Sequence, residues 1–185
     1  MIALANLNFL SPDSKCYSFD HRANGYSRGE GFGVVIIKTL SEALRNSDTI
    51  RTVIRATCAT QDGRTPGITQ PSSKAQEDMI CATYRTAGLD MSRTRYFEAH
   101  GTGTPLGDPL EAKAINSAFN RLPEEPMYIG AVKSNIGHLE GASGIAGLIK
   151  TTLVLEKGII PPNIGFDRVN PAIPLDEWSI RVCYL

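Results

Sequence analysis

From Gly141 to Lys157 the chain reads GASGIAGLIKTTLVLEK, and no stretch constrains the fold more. Ala142, Ser143, Gly144, Ala146 and Gly147 stand beside Ile145, Leu148 and Ile149, with no charge before Lys150. A helix that is apolar or small all round is buried on most sides. Its small residues also let other backbones approach closely. The stretch therefore predicts a central helix held between sheets. Gly158 supplies a stop, and Pro161-Pro162 prevents continuation.

The preceding chain alternates. Tyr96–Ala99 (YFEA) and Met127–Val132 (MYIGAV) read as strands, each followed by a loop and then a helix. One helix is expected from Ser73, where Ser73 and Gln76 form a capping-box pattern and Gly88 is a natural stop. Another is expected from Asp108, with Asp108 as N-cap, Pro109 at N1 and Glu111 at N3. Upstream, the β-branched run Gly33–Lys38 and the segment Thr52–Thr60 predict two more strands, paired antiparallel. Leu40–Arg45 reads as a short helix between them and Asn46-Ser47-Asp48 as a turn. Strands alternating with helices argue an α/β fold with parallel pairing in the second part.

Composition narrows the function classes. Nineteen basic and nineteen acidic residues leave a formal net charge of zero, so nothing electrostatic points to nucleic acid or an anionic membrane. No run of about 18 apolar residues is present to span a bilayer. Cys16, Cys58, Cys81 and Cys183 are scattered, with no CxxC pair and no histidine at ligand spacing. This argues against a zinc site and against a disulfide scaffold, and fits reduced thiols in a cytoplasmic protein.

The candidate chemistry lies at the strand ends. His100 and His138 each follow a strand and open a Gly-rich loop, where sites of parallel α/β sheets gather. Lys133 follows the second strand directly. The loop His100–Gly107 (HGTGTPLG) has neither the spacing of a dinucleotide loop nor the GK[ST] of a phosphate loop. Its Thr102 and Thr104 offer hydroxyls, either to a polar ligand or to the loop itself. Glu111 has two readings: a cap on its own helix, or an ion-pair partner for Lys133. Burial and the following helix N-terminus predict a neutral imidazole at His138, able to donate a hydrogen bond to a developing oxyanion.

These residues stand in recognisable surroundings. Glu98–Glu111 (EAHGTGTPLGDPLE) resembles the first histidine motif of β-ketoacyl synthases, and Gly130–Gly144 (GAVKSNIGHLEGASG) resembles their lysine and second histidine motif. Leu10–Asp13, Phe19-Asp20, Gly25–Gly31 and Gly67–Ser72 look like the same family. The nearest likeness is to the ketosynthase domain of iterative fungal-type polyketide synthases, in its C-terminal portion. The resemblance implies a thiolase-like fold of five layers, α-β-α-β-α, and decarboxylative Claisen condensation. It implies that His100, His138 and Lys133 are catalytic and that Glu111 and Asn135 support them. Thr102 and Thr104 would meet the phosphopantetheine arm. Acyl carrier protein would bring acyl and malonyl thioesters, with no free cofactor, and the complete family is usually dimeric.

By the same resemblance, the nucleophilic cysteine belongs to a TACSSS-like segment upstream of Leu10–Asp13, so none of the four cysteines here takes that role. Residues 1–70 would end the N-terminal half as a strand pair and loop, and 71–185 would form a truncated C-terminal half without the final strand pair. Most of the first half is expected to be missing. A chain of this kind is expected not to condense alone. Two alternatives follow: a non-catalytic module associating with a complete synthase, or a residual malonyl-thioester decarboxylase.

Overall fold

A computed structural model describes residues 2–67 and 69–184. Its centre is a three-stranded parallel sheet. Strands β1 (Tyr96–Glu98), β2 (Met127–Gly130) and β3 (Ile180–Val182) lie in the order β1-β2-β3. Tyr96 registers with Tyr128 and Glu98 with Gly130, while Met127 registers with Ile180.

Alternation along these strands sorts the side chains onto two faces. On one face, Phe97, Met127, Ile129, Ile180 and Val182 join the main apolar core. Helices α3 (Ser73–Ala87) and α4 (Gly107–Phe119) pack together there through Ile80, Ile115 and Phe119. The Phe119 ring meets Tyr84 and Phe97 edge-on, at 5.4 and 6.0 Å between centroids. On the other face, Tyr96 and Glu98 meet Lys150 of helix α6 (Ser143–Lys157). Helices thus cover both faces of a parallel sheet, as such sheets require.

The helix ends follow local chemistry. The Ser72 hydroxyl accepts the N–H of Ala75 at 3.1 Å, which makes Ser72, rather than Ser73, the cap of α3. Gly88 and Gly158 close α3 and α6 in the left-handed conformation, as their lack of a Cβ permits. Asp108 is not an N-cap. Helix α4 begins one residue before it, and its carboxylate turns inward to accept the backbone N–H of Phe19 at 2.7 Å and of Gly103 at 3.1 Å. Tertiary donors outcompete the local capping geometry here.

Two expectations from the sequence fail, one before residue 61 and one at α6. Short helices α1 (Ile2–Asn6) and α2 (Leu40–Arg45) form, but Gly33–Lys38 and Thr52–Thr60 belong to no ladder. β-branched residues favour a strand only where a partner strand supplies hydrogen bonds, and none lies beside them among the described residues. Phe32 and Ile36 are almost fully exposed as a result. The second failure concerns α6. Its Ser143, Lys150 and Val154 are buried, but Ile149 and Leu153 remain more than 40% exposed. The sheet covers one side of the helix and leaves Ile149 and Leu153 open, while the 33–51 region touches α6 at two points. Gly33 approaches Ile145 so closely that a Cβ there would lie 2.4 Å from it, and Arg51 pairs with Glu156. No helix among the described residues is long and apolar enough to cross a membrane.

Candidate active site

Strand β1 runs through Ala99 into the loop 100–107, whose backbone is pinned on both sides. A Cβ on Gly103, at φ +78°, would lie 2.6 Å from the Tyr17 nitrogen. The Ser18 hydroxyl donates to the Gly101 carbonyl at 2.5 Å. Behind the loop, Glu111 of α4 accepts the N–H of His100 at 2.6 Å and of Gly101 at 2.8 Å. One carboxylate so fixes the two residues at the strand end.

Strand β2 ends in the short helix α5 (Lys133–Ile136), which buries Lys133. The chain then turns through Gly137 into His138. The segment 26–29 holds that turn as a short parallel bridge: His138 donates to the Ser27 carbonyl at 2.7 Å, and Gly29 donates to the His138 carbonyl at 2.9 Å. His100 and His138 meet edge to face, with centroids 5.2 Å apart and planes at 86°. Together with Lys133, Glu98 and Glu140 they line a cavity of about 430 Å³ beside α6.

The electrostatics favour neutral imidazoles. His100 keeps an open side, but the protein packed around its ring, and then Lys133 and His138, push its pKa down to about 4. Burial also lowers His138. Glu140 opposes that shift, while Lys133 and Arg28 reinforce it. The Glu140 N–H donates to His138 Nδ1 at 2.9 Å. A neutral His138 therefore carries its proton on Nε2, and that N–H is its free donor.

Lys133 has its pKa lowered by burial, while Glu111 and Glu98 act in the other direction. It forms no ion pair among the described residues, so Glu111 neither caps its own helix nor clasps Lys133. Its oxygens are occupied by the backbone of the loop.

Other expected site residues lie apart from the cavity. Thr102 is buried, with its hydroxyl 3.2 Å from that of Thr104, which also accepts the Gly107 N–H at 3.2 Å. Asn135 is exposed, its amide donating to the Pro162 carbonyl at 3.4 Å. No cysteine lines the cavity. Cys16 is buried, and burial raises its pKa. Cys58 is exposed, Cys81 lies on α3, and Cys183 Sγ sits 3.5 Å from the Ile160 carbonyl. Among the described residues no three His, Cys, Asp or Glu side chains gather as metal ligands would.

Residue-by-residue reading of the sequence gives no role to the Glu98–Lys150 pair in the cavity wall. Glu98 Oε2 lies 2.8 Å from the Lys150 ammonium, and Oε1 accepts the Val132 N–H at 2.6 Å. The two are 52 positions apart, and nothing local marks them as partners.

Helices on both faces of a parallel sheet, with two histidines and a lysine where its strands end, define a thiolase-like α/β protein. The chain belongs to the β-ketoacyl synthase family: residues 51–167 match "Beta-ketoacyl synthase, C-terminal domain" and residues 1–43 match "Beta-ketoacyl synthase, N-terminal domain". It is 61% identical over 183 residues to highly reducing polyketide synthase 40 of Fusarium mangiferae, covering 98% of this chain and 7% of that protein. It is 63% identical over 171 residues to reducing polyketide synthase pksF of Alternaria solani, covering 92% and 8%. The ketosynthase from module 6 of the Bacillus subtilis 168 bacillaene synthase, solved as a single-substitution mutant, superposes with a TM-score of 0.94 at 36% identity. That alignment covers all of this chain and 33% of the solved one. The chain thus spans under a tenth of these fungal relatives and a third of a solved ketosynthase, and its structure is part of the thiolase-like fold.

Proposed function

We propose that this chain supplies the decarboxylating and enolate-stabilising part of a polyketide β-ketoacyl synthase. The observation that carries the reading is the paired imidazoles, His100 and His138, 5.2 Å apart at the ends of adjacent parallel strands. Both are held neutral, and His138 has Nε2–H free to donate.

The substrate is a malonyl thioester on the phosphopantetheine arm of an acyl carrier protein, and the chemistry needs no free cofactor. The bond between the malonyl α-carbon and its carboxylate breaks. Carbon dioxide leaves, and the electron pair passes into an enolate whose charge rests on the thioester oxygen. His100 and His138 donate hydrogen bonds to that oxygen as charge develops, and such preorganised donors contribute most where water is excluded. Lys133 adds positive potential from the floor of the cavity. In condensation, the enolate carbon attacks an acyl thioester carbonyl and the thiolate departs. Covalent capture of that acyl group requires an activated cysteine, which we assign to a ketosynthase segment other than this chain. Thr102 and Thr104 hold the loop that meets the arm, and Asn135 braces the α5 turn.

Malonyl-carrier protein incubated with the chain should release carbon dioxide and, once the enolate carbon takes a proton from water, leave acetyl-carrier protein. The His100→Ala and His138→Ala variants should each lose about a hundredfold of this activity or more, the lower range for one oxyanion donor. Release no faster than the buffer background would overturn the reading.

One observation favours a second reading, association with further ketosynthase polypeptide: the exposed strip Phe32, Val34, Ile36 and Ile37. A patch of this kind marks an interaction surface. Co-expression with a ketosynthase segment that carries the nucleophilic cysteine should give a stable complex that buries the strip. Two separately eluting chains would reject it.

A further inference from the structure

We propose that Tyr26 and Arg28 are positioning residues for His138, acting through Glu140 to hold the imidazole in the tautomer with its proton on Nε2. The role of His138 as a donor rests on the function proposed above, but the tautomer does not.

The argument starts at the backbone of Glu140. Its φ is +52°, a left-handed conformation uncommon for a residue with a Cβ. That conformation accompanies the 2.9 Å bond from its N–H to His138 Nδ1. The Glu140 side chain is anchored on a distant segment. Its Oε1 lies 2.5 Å from Arg28 Nη1 and accepts the Tyr26 hydroxyl at 3.2 Å. The Tyr26 ring also packs against the imidazole, with centroids 5.1 Å apart and planes at 49°.

His138 is therefore restrained three ways by the segment 26–29. Its backbone is bonded to Ser27 and Gly29, its ring lies against Tyr26, and its Nδ1 faces an N–H whose residue is tied to Arg28. Arg28 and Glu140 are both more than a third exposed, so their ion pair adds little to stability. Its effect is on geometry. Released from Arg28, Glu140 can return to ordinary backbone angles, and Nδ1 loses its donor. The imidazole is then free to exchange tautomers, and a proton on Nδ1 is useless to an oxyanion in the cavity.

The charged and titratable groups facing His138 are Lys133 on α5, His100 on the β1–α4 loop, Arg28 and Tyr26 on the 26–29 segment, Glu140 on its own turn and, against its backbone, the Cys16 thiol. This set gives a signature that loosened packing would not. Removing Arg28 takes away a cation and leaves Glu140 unpaired, so the His138 titration midpoint moves up. Removing the Glu140 charge moves it down. Both changes mix the tautomers.

Long-range proton–nitrogen NMR of the labelled full chain reads His138 directly, with His21 and His100 as internal references. The wild type should show one tautomer, protonated on Nε2. Arg28→Met and Glu140→Gln should both introduce the Nδ1–H form while shifting the midpoint in opposite directions. Arg28→Lys, which keeps a cation, should restore the wild-type pattern. Tyr26→Phe retains the ring and loses only the bond to Glu140, so it should give a smaller admixture and still reads if Arg28→Met fails to fold. A wild-type His138 that is mixed or protonated on Nδ1 overturns the proposal. So does a single unchanged tautomer in folded Arg28→Met and Glu140→Gln. Carbon dioxide release is scored separately. Its absence beside the expected tautomer shifts rejects the proposed function and leaves the positioning role standing.

Discussion

Glu111 holds His100 by its backbone, with the carboxylate accepting the His100 N–H at 2.6 Å and the Gly101 N–H at 2.8 Å. A glutamine at this position keeps one acceptor oxygen and turns an amide NH₂ toward the second donor. Leaving a buried N–H without its partner costs about 1–3 kcal/mol. Glu111→Gln should lower stability by that amount in urea unfolding. It should also reduce malonyl-thioester decarboxylation, because the loop that aims His100 loses one of two anchors. Unchanged unfolding would show that the carboxylate is not what fixes the loop.

Asp108 and His100 give the stability opposite pH limbs. Burial pushes the Asp108 carboxyl up to about 7 against the N–H bonds from Phe19 and Gly103, so the folded state holds its proton more tightly than the unfolded chain. That stabilisation is complete below the ordinary carboxyl range and is lost as pH rises through about 7. At about 1.4 kcal/mol per unit it is on the order of 4 kcal/mol. The wild type should therefore lose ground to Asp108→Asn between about pH 4 and pH 7. His100, lowered to about 4, works the other way, and its contribution is lost as pH falls from the usual histidine range through about 4. The wild type should gain on His100→Asn over that same rise. Paired melting curves across this range separate the two, and parallel curves in either comparison would contradict the assignment.

Glu98 and Lys150 form a buried pair in the cavity wall, with side chains 9% and 8% exposed. Removing one partner strands a charge in a poor solvent for it. Lys150→Met and Glu98→Gln should each cost about 3–5 kcal/mol. The double variant should cost less than the sum, since it removes both charges. A double-mutant cycle in urea measures this, and simple additivity would mean that the two side chains do not interact.

The segments 33–38 and 52–60 have no ladder to protect their amides, and Phe32, Val34 and Ile36 face solvent. Hydrogen exchange there should be fast beside that of β2 and α4. Phe32→Ser with Ile36→Ser should reduce binding of a hydrophobic dye several-fold while moving the melting temperature by no more than about 2 °C, as for surface changes of up to 0.5 kcal/mol. Slow exchange in both segments would mean that they are paired in solution.

The sequence by itself determined what depends on neighbours along the chain. The extent of α3 up to Gly88, the stop of α6 at Gly158, strands β1 and β2, and the histidines at their ends all follow from periodicity, capping and left-handed glycines. Ionic state was partly legible as well, since burial at a strand end already argues for a neutral His138. Tertiary structure alone decided whatever needs a partner distant in sequence. Ile180–Val182 is too short to announce itself and becomes β3 only because β2 offers an edge. Gly33–Lys38 has every local mark of a strand and is none, because a strand exists only with hydrogen-bonding partners. Asp108 looks like a cap and instead ties α4 to Phe19, 89 positions away. The orientation of His138 was equally out of reach, since it depends on an N–H at Glu140, a salt bridge to Arg28 and the face of Tyr26. Local propensity is written in adjacent residues, whereas pairing, burial and the aim of a side chain are set by which distant segments the fold brings within bonding distance.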